Sequence, residues 1–548
     1  MKTGGELIVE CLEAQGVDRV FCVPGESYLA VLDALHDSAI ENVGARQEGG
    51  AAMMAEADGK MTGRPGICFV TRGPGATNAA SGIHVAKQDS TPMIMFVGQI
   101  GRHMRGREAF QEVDYRQTFG DLAKWVEEID HVDRIPEVIS HAWHVAMSGR
   151  PGPVILALPE DMLTENCTGV SAGPYVDVAE PAPTEAASVD LAEMIEAAER
   201  PFLVLGGSRW TEDAVADVHG FAENWGLPVG CSFRRQQLFD HLHPNYAGDV
   251  GLGINPALKS QIAESDLVIL LGARFSENPS QGFSLFNIPK PVQKLVQIHS
   301  GAEELGRIYA PDLAINATPG TFLSAMKKMT PKASKSGAEV AHASYRAWTD
   351  TLPETPGNVQ MATVMAHLRD VLSDNAIMTN GAGNYAIWLH RFWRFRKFGT
   401  QLAPTSGSMG YGLPASVAGK LRHPDRSVIC FAGDGCYQMT MQEFGTAVQF
   451  GANIIVLLID NGVYGTIRMH QEREYPSRIS ATDLQNPDFA AIARAYGAYA
   501  ETVTQSDEFA AAFTRAQASN KPALIHIKTD PEASTPTVTL SALRAAKI

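Results

Sequence analysis

No run of 18 apolar residues occurs anywhere in this 548-residue chain, so it offers no stretch able to cross a bilayer as a helix. The N-terminal KTGGELIVECLEAQGV carries Glu6 and Glu10 where a signal peptide would be apolar, and its spacing is that of an amphipathic helix. Nothing in the sequence targets or anchors it. No C-x-x-C occurs either. The seven cysteines, at 11, 22, 68, 167, 231, 430 and 436, fall partly in apolar strand-like runs, as the reduced core thiols of a cytosolic protein do. Cationic clusters are also missing. With 45 Lys and Arg against 61 Asp and Glu, the net charge is −16 and the bases are scattered, which excludes a nucleic-acid footprint and an anionic membrane surface as partners. A small ligand is left as the expected partner.

What is present is a long chain, 45% apolar, enough for about three domains at roughly 100–200 residues each. Short apolar runs such as GICFVTRGPG, PMIMFVGQI, PVILALPED, PFLVLGGS, DLVILLGARF, SVICFAGDG and NIIVLLIDNG alternate with helical patterns. Continuous apolar strands flanked by helices predict parallel sheets covered on both faces. Residues 166–190 and about 330–358 have linker composition, rich in Pro, Ala, Ser and Thr. The expected units are therefore 1–165, 190–328 and 358–535, each a doubly wound α/β domain. In such sheets ligands bind beyond the carboxyl ends of strands, so functional residues should follow strands directly. The first and third units share a rhythm of strand, Gly-rich turn and helix.

Two residues follow strands in a telling way. Asp434 comes directly after SVICFAG, between Gly433 and Gly435, and Asn461 comes directly after NIIVLLID. Neighbouring strand tips would thus carry one carboxylate and one carboxamide. Mg²⁺ takes six oxygens in near-octahedral geometry and is usually held by one or two carboxylates plus ligand phosphates. Asp434, the Asn461 amide oxygen and a backbone carbonyl near Val463 would form such a set with a diphosphate, whose oxygens could dock on the N–H groups at the following helix start. Either turn alone is an ordinary Gly/Asp/Asn turn; the pair is not.

Gly433-Asp434-Gly435, followed 26 residues after Asp434 by Asp460-Asn461, resembles the thiamine-diphosphate signature that opens on Gly-Asp-Gly and closes on Asn-Asn. Three further stretches are similar to segments of that enzyme family, in the expected order: 46-RQEGGAAMMAEADGKMTGRPG-66, 71-TRGPGATNAASGI-83 and 405-TSGSMGYGLPASVAGKL-421. Phe110-Gln111-Glu112 and 149-GRPGPVILALPEDM-162 look most like the acetolactate (acetohydroxyacid) synthase branch. The resemblance implies pyrimidine-binding, central and diphosphate-binding domains, with thiamine diphosphate and Mg²⁺ as cofactors. It implies decarboxylation of a 2-oxo acid and transfer of the acyl carbanion to an acceptor, or decarboxylation and C–C cleavage without ligation. It also implies a homodimer or a dimer of dimers.

By the same resemblance, Glu48 is the carboxyl group at the pyrimidine N1′, with an apolar setting raising its pKa. Pro24, Pro74 and Asn78 lie with it, the Gly407 carbonyl faces the 4′-amino group, and Met409 is the apolar wedge that bends the cofactor. Gly383, Asn384, Tyr385, Gly435, Cys436, Gly465 and Thr466 face the diphosphate side. Phe110 and Gln111 line the substrate side, and His470 joins them. His84, Lys87 and Lys124 are candidate carboxylate holders, although each also reads as a surface residue.

Three departures from the branch pattern stand out. Glu26, in 23-VPGESY-28, replaces a glycine; Thr466 and His470 stand where Met and Trp are usual; and the central unit, which binds FAD in that branch, has lost the acidic pair after Arg274-Phe275 and has Ser300 in place of an aspartate. FAD binding is the expectation these changes weaken. A nicotinamide dehydrogenase would rest on 251-GLGINP-256, which no clear strand directly precedes in the sequence. A non-catalytic relative would be expected to have lost Glu48 or Asp434, and both are present.

Overall fold

The structure, a computed structural model, describes residues 1–546. Three six-stranded sheets form, and every strand pair within them is parallel. The first contains β1 (Arg19–Cys22), β2 (Glu41–Gly44), β3 (Gly66–Val70), β4 (Met93–Gln99), β5 (Trp125–Glu128) and β6 (Pro153–Pro159), in the order β2-β1-β3-β4-β6-β5. The second contains β7 (Pro201–Leu205), β8 (Val229–Ser232), β9 (Tyr246–Val250), β10 (Leu267–Leu271), β11 (Lys294–His299) and β12 (Leu313–Asn316), in the order β9-β8-β7-β10-β11-β12. The third contains β13 (Ile377–Asn380), β14 (Gln401–Leu402), β15 (Val428–Gly433), β16 (Ile455–Asp460), β17 (Tyr499–Val503) and β18 (Ala523–Lys528), in the order β14-β13-β15-β16-β18-β17. The first and third sheets thus share one topology, which is the structural content of their common rhythm. The central one has the 3-2-1-4-5-6 order of dinucleotide-binding sheets.

Central strands such as GICFV, MIMFVGQ and VICFAG are buried along their whole length. Helices cover both faces, so side chains of either parity need to be apolar and no alternation is seen. One apolar cluster joins the first and third sheets' helices: Ala52, Met54 and Ile83 pack with Leu413, Val417 and Phe444. Burying each of the large side chains contributes about 1.5–3 kcal/mol. The contact carries a buried carboxylate, Glu56, which accepts hydrogen bonds of 2.6 Å from both Thr91 and Tyr411 and pairs with Lys60 at 3.1 Å. A charge buried this deeply is stable only with such partners. The result is that the helix opening at Glu48 (Glu48–Thr62) is fixed against the third sheet's Gly412–Arg422 helix.

Two sequence expectations need correction. Residues 330–358 are more than a linker: Ala338–Asp350 is a helix whose Ala341, Tyr345 and Thr349 are buried, and His342 bonds the Tyr246 carbonyl on β9 at 2.9 Å. Its buried positions are small or polar, so linker composition concealed its amphipathic pattern. Gly251 is also directly preceded by a strand, β9, and a helix begins at Pro256. The sequence hid β9 because YAGDV holds a glycine and an aspartate. Even so, β9 is an edge strand, away from the topological switch point between β7 and β10 where nucleotides bind such sheets, and the third glycine position holds Pro256. Among the described residues no helix is long and apolar enough to cross a membrane.

Candidate active site

Asp434 opens a short helix at the tip of β15, and Asn461 follows the tip of the adjacent β16. They line one cavity of about 280 Å³ together with Gly383, Asn384, Gly407, Met409, Gly435, Cys436, Val463, Gly465 and Thr466. Asp434 is buried, and its Oδ2 accepts the Gly462 N–H at 3.0 Å and the Asn486 amide at 2.7 Å. Burial pushes its carboxyl up to about 6; the Asn486 bond opposes this and the nearby Asp460 carboxylate adds to it. Asn461 Oδ1 accepts Val463 N–H at 3.2 Å and keeps a second lone pair. Val463 is the non-hydrogen-bonded partner in a bridge to Asp483, whose bonds are made by Tyr464 to Thr482 and by Leu484 to Gly462.

The glycines around Asp434 are required by neighbouring rings. A Cβ at Gly433 would meet the Tyr385 ring at 2.8 Å, and one at Gly435 would meet the Tyr464 ring at 2.5 Å. The Tyr385 hydroxyl donates to Cys436 Sγ at 3.1 Å, and the Gly410 N–H donates to the same sulfur at 3.2 Å, locking the floor of the cavity. Thr466 donates to Asn384 Oδ1 at 2.9 Å, and Asn384 donates to Ser534 at 3.0 Å. Met409, half-buried, borders the cavity and is not a core residue.

These groups fit a magnesium diphosphate. The donor set is one carboxylate, one carboxamide and one backbone carbonyl on a glycine-rich floor, hard oxygens suited to Mg²⁺. Among the described residues no group of three His, Cys, Asp or Glu competes as a metal site. At the central sheet, where the resemblance would place FAD, polar groups near the strand tips are already engaged with backbone carbonyls. Arg235 donates to Asp89 O at 2.8 Å, Arg274 to Gln88 O at 2.7 Å and Ser300 to Gly149 O at 2.9 Å, all on the first domain's backbone, and Arg235 also donates to Gly207 O of its own unit at 2.9 Å. The space they leave at the strand tips is about 60 Å³. The adjoining cleft of about 410 Å³ is lined by Asp177 and Glu180 and also by Lys60, Arg209 and Arg235, with Glu180 paired to Arg209 at 2.7 Å.

Glu48 is elsewhere. No residue of the first sheet's unit lines the Asp434 cavity. Glu48 opens its helix half-buried and accepts Asn78 Nδ2 at 3.0 Å, while Gln47 Oε1 caps Gly50 N at 3.1 Å. The preceding Arg46 N–H donates to buried Glu443 of the third unit at 3.2 Å. Gly75, next to the exposed Pro74, approaches Glu48 Oε1, and Gln111 packs at Gly73, where an added Cβ would meet the Gln111 Cβ at 2.8 Å; Pro24 is exposed. Gln111 has φ +65° and Phe110 is 73% exposed. The apolar setting expected for Glu48 is therefore not supplied by its own chain. Arg72, buried on the same rim, pairs at 3.0 Å with both Glu26 and Glu160.

Other expected residues fall outside either cluster. His470 is exposed beside Arg473 and does not line the cavity; it lies one helical turn beyond Thr466 and Ile467, which do. Lys124 ties the Ser148 and Arg150 carbonyls at 2.8 Å each, Lys87 meets Asp121, and His84 is exposed. Asn486, Tyr464 and Ser534 were not singled out from sequence. For Asn486 a signal exists, since Asn-Pro-Asp precedes the Phe489–Ala495 helix that Asp488 caps. Ser534 gives none.

Comparison with known proteins agrees with this geometry. Profiles described as the N-terminal TPP binding domain, the central domain and the C-terminal TPP binding domain of thiamine pyrophosphate enzymes match residues 2–118, 189–326 and 381–527. The acetolactate synthase isozyme 1 large subunit of Escherichia coli K12 is 32% identical over 97% of this chain and 94% of its own length. The acetolactate synthase large subunit of Corynebacterium glutamicum is 32% identical over 94% of this chain and 85% of its own. A probable acetolactate synthase large subunit of Methanocaldococcus jannaschii is 29% identical over 98% and 93%. With three matching domains in order and a glycine-floored Asp434–Asn461 cavity between β15 and β16, the chain belongs to the thiamine pyrophosphate enzymes, in the company of the acetolactate synthase large subunits.

Proposed function

We propose that this chain, with thiamine diphosphate and Mg²⁺, decarboxylates a small 2-oxo acid such as pyruvate and transfers the acyl unit to a second carbonyl compound, as a cytoplasmic carboligase of the acetolactate synthase type. The observation that carries this reading is the division of the site. The diphosphate-compatible cavity is lined only by residues 355–534, whereas Glu48 bonds Asn78 on the first sheet's unit, beside the Gly73–Gly75 turn against which Gln111 packs. A homodimer or dimer of dimers would bring the rim of one subunit to the cavity of another, and units 1–165, 190–328 and 358–535 would be the pyrimidine-binding, central and diphosphate-binding domains.

Bound thiamine diphosphate supplies the electron sink for loss of carbon dioxide. In this reading Asp434, Asn461 and the Val463 carbonyl hold Mg²⁺, and the N–H groups at Gly383, Asn384, Gly435 and Cys436 receive the phosphate oxygens. Met409 and the Gly407 carbonyl orient the ring system. Glu48 holds a proton at the pyrimidine N1′, and Asn78 keeps its carboxyl in place. Gln111, a neutral amide, offers a hydrogen bond to substrate carbonyl oxygen without acting as a base, and Phe110 excludes water from the approach.

The experiment is a product screen with pyruvate and longer 2-oxo acids, each with and without 2-ketobutyrate or an aldehyde, in the presence and absence of Mg²⁺ and thiamine diphosphate. Cofactor-dependent carbon dioxide release with a ligated hydroxyketone product is expected. Release of carbon dioxide with free aldehyde as the sole product would overturn carboligation, and no release at all would overturn the whole reading.

A further inference from the structure

Asn486 sits in Asn-Pro-Asp, where the following proline holds it extended and Asp488 starts the next helix by accepting Ala491 N–H at 2.9 Å. Its side chain is fully used. One amide hydrogen goes to Asp434 Oδ2 at 2.7 Å, the other to Asp460 Oδ1 at 2.8 Å, and its oxygen accepts Gln438 Nε2 at 3.0 Å. The Gly462 N–H is shared between the same two carboxylate oxygens, at 3.0 Å each. Asp460 is held in turn by His526 at 2.7 Å and by Lys528. Burial disfavours its charge, yet those two donors keep its carboxyl well below the usual carboxylate range. Asp460, though adjacent to Asp434, is therefore already satisfied and is not a ligand. Both the Asn486 and the Gly462 bonds to Asp434 fall on Oδ2, the Gly435 N–H also stabilises the carboxylate, and Oδ1 accepts no hydrogen bond from any described side chain.

We infer that Asn486 is a positioning residue for the cation: by occupying Asp434 Oδ2 it makes Asp434 a one-oxygen ligand and so favours Mg²⁺ over Ca²⁺. The inference rests on the metal assignment under the proposed function. Mg²⁺ requires six near-octahedral oxygens at short distance and is served by a monodentate carboxylate; Ca²⁺ accepts six to eight and readily takes a carboxylate through both oxygens. Without Asn486, Oδ2 keeps only the Gly462 N–H that it shares with Asp460, and the discrimination weakens. Partners that orient metal ligands typically matter by about 10–100-fold in metal affinity.

The test is calorimetric titration of thiamine diphosphate into EDTA-treated full-length protein, with Mg²⁺ or Ca²⁺ as the sole divalent cation. For Asn486→Ala the Mg²⁺-supported affinity is expected to fall about 10–100-fold while the Ca²⁺-supported affinity changes far less. Gln438 is exposed, so Gln438→Ala leaves folding intact, and it should move the Mg²⁺/Ca²⁺ ratio in the same direction by a smaller factor. Equal losses with both cations in Asn486→Ala, or an unchanged ratio in both variants, would overturn the inference. If Asn486→Ala fails to fold, the Gln438→Ala ratio decides alone. A wild type that binds the cofactor with no divalent cation present would instead overturn the metal assignment itself.

Discussion

Asn78 Nδ2 donates to Glu48 Oε2 at 3.0 Å, joining the start of the second turn of the Pro74–Asp89 helix to the first residue of the Glu48–Thr62 helix. A carboxylate at a helix N-terminus is stabilised by the dipole, and here a neighbouring amide fixes its direction as well. Gly75 makes room: a Cβ there would meet Glu48 Oε1 at 3.3 Å and the Thr71 methyl at 2.7 Å.

Glu48→Gln is therefore expected to keep the fold and the bound cofactor while slowing proton exchange at the thiazolium C2 by roughly 10²–10⁴-fold, the usual contribution of a positioned acid or base. Exchange into deuterium, read by NMR after acid quench, measures it. Asn78→Ala should slow exchange less, since it loosens the carboxyl without removing it. An unchanged rate in Glu48→Gln would assign activation to another group.

Asp434→Ala should abolish Mg²⁺-dependent cofactor binding, because the diphosphate's negative charge loses the cation that links it to the protein. Calorimetric titration with and without Mg²⁺ checks this. Cofactor affinity within about twofold of wild type, with metal dependence intact, would remove Asp434 from the ligand set.

Much of this was legible in the sequence, for a physical reason. Residues 428–433 and 455–460 are continuous apolar strands, so Asp434 and Asn461 could be placed at adjacent tips before any coordinates. The identical order of the first and third sheets was less visible, since strand order depends on crossovers that leave no local pattern. Asn486 and Ser534 escaped because they reach the cavity from loops 52 residues after Asp434 and 150 residues after Asn384, contacts that no spacing rule encodes. His470 was read from the position of the branch's usual Trp; on the Gly465–Glu474 helix it shares a face with Thr466 but lies one turn further along, exposed beyond the residues that line the cavity.

Glu26 and Arg72 allow a separate test. The Glu26 side chain is 71% exposed, so its 3.0 Å pair with Arg72 adds only about 0–1 kcal/mol to stability. Glu26→Gly should leave the melting temperature nearly unchanged and alter the acceptor spectrum, by taking one negative charge from the rim that bears Pro24 and Gln111. Arg72→Ala should destabilise clearly, since it empties a buried position and strands the Glu160 carboxylate. Thermal denaturation beside product analysis separates the two. A Glu26→Gly variant with the wild-type product ratio would exclude Glu26 from the acceptor's path.

Subunit complementation tests the divided site. Glu48→Gln and Asp434→Ala are each expected to be inactive alone. When mixed and re-equilibrated, half of the dimers are hybrids, and in each hybrid one site combines an intact rim with an intact cavity from the other chain, giving about a quarter of wild-type activity. If rim and cavity of one chain formed one site, every hybrid site would carry a defect and mixing would restore nothing.

The last prediction separates Thr466 from His470 in the choice of acceptor. Thr466 lines the cavity and hydrogen-bonds Asn384 at 2.9 Å, whereas His470 is exposed beside Arg473. Thr466→Met replaces a hydroxyl held by that bond with a flexible apolar chain, which leaves Asn384 Oδ1 without its donor and narrows the cavity. With pyruvate as donor, the ratio of product formed with 2-ketobutyrate to product formed with an aldehyde should therefore shift in Thr466→Met. In His470→Trp it should stay within about twofold of wild type, because an exposed side chain outside the cavity contributes little to discrimination there. Chromatographic identification of the products from competing acceptors measures both. A large shift in His470→Trp with none in Thr466→Met would mean that subunit association carries the histidine to the acceptor, and would reverse the assignment.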